Sequence, residues 1–166
     1  MAKETFSFDI ISEADLQEVD NAVNQAKKEL SQRYDFKGSK SSIDYSREEK
    51  KITLIADDDF KLRSLRDILD GRMVKRSISL KALTYKEPEK AFEGTFRQVI
   101  ELVSGLEREK QKDLTKIIRD FNPKIQAQIE GEKIKVSSPK KDDLQAIISH
   151  LRTIDFPVAL QFTNYR

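Results

Sequence analysis

The sequence predicts an α+β protein of two tandem βαββαβ units, each a four-stranded antiparallel sheet with two helices on one face. Three observations lead there. Short runs alternate apolar and polar residues, the period of a half-buried strand. Four longer segments between them carry apolar residues at helical spacing. The order strand, helix, strand, strand, helix, strand also occurs twice, with apolar rows in register at an offset of 82 residues. At that offset Ile43 meets Ile125, Ile52 meets Ile134, Leu54 meets Val136, Leu62 meets Leu144 and Leu69 meets Leu151. Aligned apolar rows of this kind mark an internal repeat, and the units are expected at residues 1–88 and 89–166.

The first strand is expected at 5–11, where Phe6, Phe8 and Ile10 alternate with Ser7 and Asp9. Ser12-Glu13-Ala14-Asp15 has the form of a helix cap with an acid three residues on, opening a helix that runs to about Tyr34 through Leu16, Val19, Ala22, Val23, Ala26 and Leu30. Two strands, 42–47 and 51–56, flank a turn at Glu48-Glu49-Lys50. Asp57 or Asp58 caps a second helix bearing Phe60, Leu62, Leu65, Ile68 and Leu69; it exits over 71–76 into a strand at 78–85. After a charged linker, 86–93, the pattern restarts with a strand at 95–103 and a cap at Ser104-Gly105-Leu106-Glu107. Leu114, Ile117, Ile118 and Phe121 mark the third helix, closed near Asn122-Pro123. Segments 124–129 and 133–136 form a hairpin, and Ser138-Pro139 starts a fourth helix with Pro where its missing N–H costs nothing. Its stripe is Leu144, Ile147, Ile148 and Leu151, and the last strand is 158–162. Each half follows the ferredoxin-like, or split βαβ, plan. A unit of this size is marginal alone, so the open faces or edges are expected to pack together, and the linker is short enough for a strand to be exchanged between units.

Composition excludes several functions. The 166 residues contain no Cys and one His, which removes disulfides, iron–sulfur sites and thiol chemistry. No apolar run approaches the roughly 20 residues of a membrane span, and the first residues have no signal-peptide pattern, so a cytoplasmic protein is expected. With 31 Lys+Arg against 29 Asp+Glu, bulk charge does not announce a nucleic-acid binder. Residues 1–88 carry 17 basic and 17 acidic side chains and the remainder 14 and 12, so any anion site has to come from local clustering. Five Gly leave no Gly-rich phosphate loop.

Several stretches together resemble the bacterial YajQ family over essentially the whole chain. They are Ser7-Phe8-Asp9-Ile10, Asp15-Leu16-Gln17-Glu18-Val19, Tyr34-Asp35-Phe36-Lys37-Gly38, Val74-Lys75-Arg76, Ile125-Gln126-Ala127-Gln128-Ile129-Glu130-Gly131, Asp142-Asp143-Leu144-Gln145 and Gln161-Phe162-Thr163-Asn164-Tyr165-Arg166. The resemblance implies two ferredoxin-like domains related to ribonucleoprotein folds, and a nucleotide-binding activity that includes cyclic di-GMP for some members and RNA for others. One stretch departs: where the family has Gly-Lys before Asp142-Asp143, this chain has Ser138-Pro139-Lys140-Lys141. A flexible basic turn becomes a rigid cap, and no site residue is assigned to it.

Three basic clusters are candidates. Arg108, Lys112, Lys116 and Arg119 share one face of the third helix, opposite Leu114, Ile117 and Phe121. A row of cations can meet phosphates, although a solvated outer face softened by Glu109 and Asp113 explains it more simply. In Arg33-Tyr34-Asp35-Phe36-Lys37-Gly38, aromatics beside cations suit base stacking with phosphate contact; the competing possibility is a helix terminus whose Phe36 folds back onto the core. Arg72, Lys75, Arg76 and Lys81 lie near a helix C-terminus, where the dipole alone favours cations. Tyr165-Arg166 is expected to be a frayed terminus. The third strands, 51–56 and 133–137, lack the aromatics of a standard RNA-recognition sheet; with Ile52 and Leu54 facing the helices, Lys51, Thr53 and Ile55 face outward. Catalysis is not expected: His150 is a helix-surface histidine, and Asp57-Asp58-Asp59 and Asp142-Asp143 sit where helix starts want negative charge.

The expectation is a non-catalytic nucleotide-binding protein, a cyclic di-GMP receptor acting through a protein or nucleic-acid partner, with no cofactor, no metal and no membrane contact. The base stacks on Phe36 or Tyr34, Arg33, Lys37, Lys75 and Arg76 neutralise phosphates, and members of the row Lys112, Lys116 and Arg119 close the site. The alternatives are an RNA- or DNA-associated module using the basic helix face, and a protein-interaction scaffold assembled through the tandem sheets.

Overall fold

A computed structural model describes residues 5–166. In chain order the elements are β1 (Phe6–Ile11), α1 (Leu16–Gln32), β2 (Ser42–Ser46), β3 (Lys51–Ala56), α2 (Asp59–Lys75), β4 (Leu83–Tyr85), β5 (Glu89–Lys90), β6 (Phe96–Leu102), α3 (Arg108–Phe121), β7 (Gln126–Glu130), β8 (Lys133–Ser138), α4 (Lys141–Thr153) and β9 (Gln161–Thr163). The α+β class holds, with four helices and two antiparallel sheets among the described residues. Their strand orders are β7-β8-β1-β9 and β2-β3-β6-β4, with β5 added on β6.

Strand pairing does not follow the contiguous division expected at 1–88 and 89–166. One compact unit is Ala14–Val103; the other is Ser104–Arg166 together with residues 5–13. β1 pairs with β8 and β9, whereas β6, expected to open the second unit, pairs with β3, β4 and β5. The reason is physical: alternation specifies which face of a strand is buried and says nothing about which sheet receives it. Residues 6–11 and 96–102 alternate alike, so either sheet suits either strand.

In the unit containing β1, Phe8 and Ile10 pair across to Val136 and Ile134 and meet Leu114, Ile118, Leu144, Ile147, Ile148 and Leu151 from α3 and α4. In the Ala14–Val103 unit, Ile43, Ile52, Leu54 and Ile100 are buried with Val19, Ala22, Val23 and Ala26 of α1 and Leu62, Leu65, Leu69 and Met73 of α2. All ten residues matched at the 82-residue offset are buried. Each full burial contributes about 1.5–3 kcal/mol, so these rows hold both sheets to their helices.

Several local expectations shift. α1 is capped by Asp15, whose carboxylate accepts from the Gln17 and Glu18 amides; Ser12 is buried with its hydroxyl unpartnered. Asp58, not Asp57, caps α2 through the Lys61 amide. α2 runs through Gly71 to Lys75 instead of ending there, and Phe60 points to solvent. The strand expected at 78–85 is reduced to Leu83–Tyr85 after a 3-10 turn at Leu80–Ala82. Glu107 occupies the cap of α3 without a side-chain bond. Gly105 is needed nearby, because at φ +88° a Cβ would run into the Glu132 side chain. Ser138 ends β8 yet still serves α4, accepting from the Lys140 amide and donating to Asp143. The last strand lies at Gln161–Thr163, later than expected. The C-terminus is not frayed: Ser7 and Arg166 exchange both backbone bonds at 3.1 and 2.9 Å.

Candidate functional site

α1 stops where its apolar face runs out. Arg33 leaves helical geometry, its amide bonding Leu30 O, and a 3-10 turn at Tyr34–Phe36 follows. Gly38 takes φ +76°, a left-handed conformation that glycine adopts without a Cβ penalty. This turn sends two aromatics in opposite directions. Phe36 is 6% exposed and packs inward, while Tyr34 is 89% exposed. The expected stacking role of Phe36 is therefore corrected: the ring faces the core because burying it removes a large apolar area from water.

Beside this turn is a groove of about 580 Å³ whose polar lining includes Lys27, Arg33, Lys37, Ser39 and Ser41, with Tyr34 at its edge and Phe36 forming a wall. The Arg33 guanidinium donates twice to Asp35, at 3.0 and 2.9 Å, and stands 3.8 Å from Glu29. The bonds from Arg33 hold the Asp35 carboxyl below its ordinary value and in turn raise Arg33. Lys61 Nζ lies 4.8 Å from the Phe36 ring centroid and donates to the Asp35 carbonyl. Asp57 anchors the far side of the loop, accepting from the Ser39 hydroxyl and, at 3.0 Å, the Lys40 amide. Those bonds, the Ser39 hydroxyl first, hold Asp57 below the ordinary carboxylate range. Among the described residues neither Lys27 nor Lys37 is in an ion pair, so both ammonium groups remain available to an anion. The carbonyl end of α1 is partly negative, and an anionic ligand needs cations such as these to settle there.

Sequence reasoning missed Lys27, Ser39, Ser41 and Lys61. Lys27 was legible in principle, since Leu30 and Ser31 lie three and four residues on, share its helix face and line the same groove. Lys61 is 26 residues from Asp35 and left no local signal.

The other candidates of the same unit are not gathered here. Arg76 donates to Glu18 at 2.8 Å, whereas Arg72 bonds Glu29 at 2.7 Å and Arg33 lies beyond that. Glu18 and Glu29 are eleven residues apart on α1, roughly 16 Å, so the structure separates the Arg76 guanidinium from the loop. Lys75 is exposed near Arg76, at the end of α2. Lys112, Lys116 and Arg119 belong to the other unit, all exposed along α3 with Arg108 and, among the described residues, in no ion pair. Ile52 and Leu54 do turn to the core, leaving Lys51, Thr53 and Ile55 on the outward face. His150 is half-buried and stacks on Phe121 with ring centroids 4.6 Å apart. No helix among the described residues is long and apolar enough to cross a membrane.

A family model described as nucleotide-binding protein YajQ-like matches residues 6–166. Similar proteins, each named nucleotide-binding protein, include one from Endomicrobium trichonymphae, 59% identical over 97% of this chain and 98% of its own. Others are from Heliobacterium modesticaldum, 51% identical over 100% of this chain and 99% of its own, and Carboxydothermus hydrogenoformans, 51% identical over 97% and 98%. A match across nearly the full length, at such identities, means that the chain belongs to the YajQ-like nucleotide-binding protein family.

Proposed function

We propose that this chain is a non-catalytic nucleotide-binding protein whose ligand occupies the groove at the exit of α1. The observation that carries it is the convergence of Lys27, Lys37, Ser39 and Ser41 on one groove beside a tyrosine ring left in water. Tyr34 stacks the base, Lys27 and Lys37 meet phosphates, and Arg33 joins them by exchanging part of its clasp on Asp35. Phe36 acts as the apolar wall. Within this class the ligand is a cyclic dinucleotide such as cyclic di-GMP, whose two phosphates match the two ammonium groups in number, and the bound form acts on a partner. The family's naming supports the nucleotide, and the names of the relatives describe binding and no reaction.

Calorimetry with GTP and cyclic di-GMP tests this. Tyr34→Ala with Lys37→Ala is expected to weaken binding at least about tenfold, since stacking and charge-assisted contacts are each worth 1 kcal/mol or more. Both residues are exposed, so stability should stay within about 0.5 kcal/mol. Unchanged affinity would remove the ligand from this groove.

A second function is favoured by one observation, the exposed row Arg108, Lys112, Lys116 and Arg119, in no ion pair among the described residues. Such a row tracks a phosphate backbone. Replacing Lys112, Lys116 and Arg119 by Ala would then lower the salt slope of single-strand binding by about 2; an unchanged slope excludes it.

A further inference from the structure

The unit containing β1 has a groove of its own, of about 600 Å³, between the flank of α3 and the exit of α4. Its floor is apolar: Ile117 and Ile154 are half-buried and Phe156 is buried. Its rim is acidic. Asp113 and Asp120 stand on α3, and Asp155 comes from the loop after α4. Seven residues make nearly two helical turns, so the first two carboxylates share one flank about 10 Å apart, with Ile117 between them. Both are exposed and, among the described residues, in no ion pair. The opposite wall has a field of the same sign, because α4 ends at Thr153 and the carbonyl end of a helix is partly negative. Arg152, which would offset that field, lies instead over the Phe162 ring, 5.5 Å from its centroid. His150 borders the groove with its ring stacked on Phe121. Lys116 also lines it, so carboxylates outnumber ammonium groups by three to one.

We infer that this groove is a binding site for an aliphatic polyamine. A metal ion needs its ligands gathered on one point, and among the described residues no three acids or histidines are so placed. An anion meets the wrong sign of charge. A triamine fits both features of the groove. Its ammonium groups are spread over a span comparable to that between Asp113 and Asp120, and they reach the acidic rim. Its methylene segments lie on Ile117, Ile154 and Phe156, as lysine stems lie along apolar surface while the charged head stays in water. Ammonium groups at an open rim are screened by salt, so the binding is salt-sensitive. The inference is independent of the α1-exit groove and of any nucleotide.

The test is calorimetry of the intact chain with spermidine, beside butylamine, magnesium chloride and a trilysine peptide. Spermidine should bind at least about tenfold more tightly than butylamine, because each further ammonium group adds an ion pair within the same molecule. Asp113→Asn with Asp120→Asn should weaken spermidine about fivefold, and Lys116→Ala should strengthen it about twofold by removing a like charge. All three side chains are exposed, so urea midpoints of the variants should match the parent. Spermidine affinity indifferent to the Asp113 and Asp120 changes would overturn the site. So would displacement of spermidine by an equal concentration of magnesium, which would reduce the effect to general attraction by acids. Tighter binding of the trilysine peptide, with the same dependence on the two aspartates, would make the groove a peptide site and overturn the polyamine.

Discussion

The two units solve the same packing problem with different loops. At the 82-residue offset Phe36 falls on Ile118, Tyr34 on Lys116 and Lys37 on Arg119. Phe36 and Ile118 are both buried, yet one lies in a turn and the other inside α3. α3 continues to Phe121, four residues before β7; α1 ends at Gln32, nine residues before β2. The longer connection opens a groove and turns a tyrosine outward. The shorter one keeps its cations in a row on a helix. A repeated scaffold thus holds one core position constant while loop length decides whether the neighbours form a cleft or a solvated stripe.

The cores differ as well. Phe8 pairs opposite Val136 in one sheet and Gln98 opposite Leu54 in the other, the same place in the repeat. Phe8 packs edge-on to Phe162 with centroids 5.9 Å apart. Gln98, only 3% exposed, accepts from Arg66 at 3.1 Å and donates to the Lys86 carbonyl at 2.9 Å. One sheet closes with an aromatic, the other with a polar bridge.

The largest expected effect breaks the core half of this comparison. Phe36→Ala should cost about 3–5 kcal/mol of stability by urea unfolding, as burial of a full aromatic demands. A loss below about 1 kcal/mol would mean that Phe36 is free for a ligand after all. Gln98→Leu sharpens the second contrast. It strands the Lys86 carbonyl and deprives Arg66 of its acceptor, so a cost of about 1–3 kcal/mol is expected; a gain would show the bridge to be dispensable.

The smallest effects distinguish one carboxyl in each unit. Burial raises Asp9, but bonds from Asn164 and Lys133 with the charges of Lys133 and Arg166 outweigh it and hold the group below its ordinary 3.8. Burial raises Asp70 above 3.8, more than the Tyr85 hydroxyl bond lowers it. Asp9 therefore contributes stability that is present above pH 3.8 and lost as pH falls through its lowered value. Asp70 does the reverse: its contribution is complete below 3.8 and lost as pH rises through the raised value. Asp9→Asn should lower stability at pH 7 and flatten the acid limb, while Asp70→Asn should flatten the decline above pH 4. Stability curves of the two variants with the same sign of change would contradict these assignments.

The helices and faces were legible in the sequence because apolar period is written locally: the matched pairs from Ile43 and Ile125 to Leu69 and Leu151 all reached the core. The partners of β1 and β6 were not, since two strands of like alternation differ only in where the chain carries them. In the candidate site, the turn Arg33–Gly38 announced itself by composition. Which of its two rings faces outward did not, and neither did Lys61 or Asp57, which reach it only through the fold. The offset that placed Phe36 on Ile118 was available all along and pointed to the core.

The most direct measurement of where ligand sits is amide chemical-shift mapping of the intact chain titrated with cyclic di-GMP and with GTP. The account predicts perturbations concentrated at Lys27 and from Arg33 to Ser41, with α3 unmoved. Shifts confined to Arg108, Lys112, Lys116 and Arg119, with that loop silent, would contradict it.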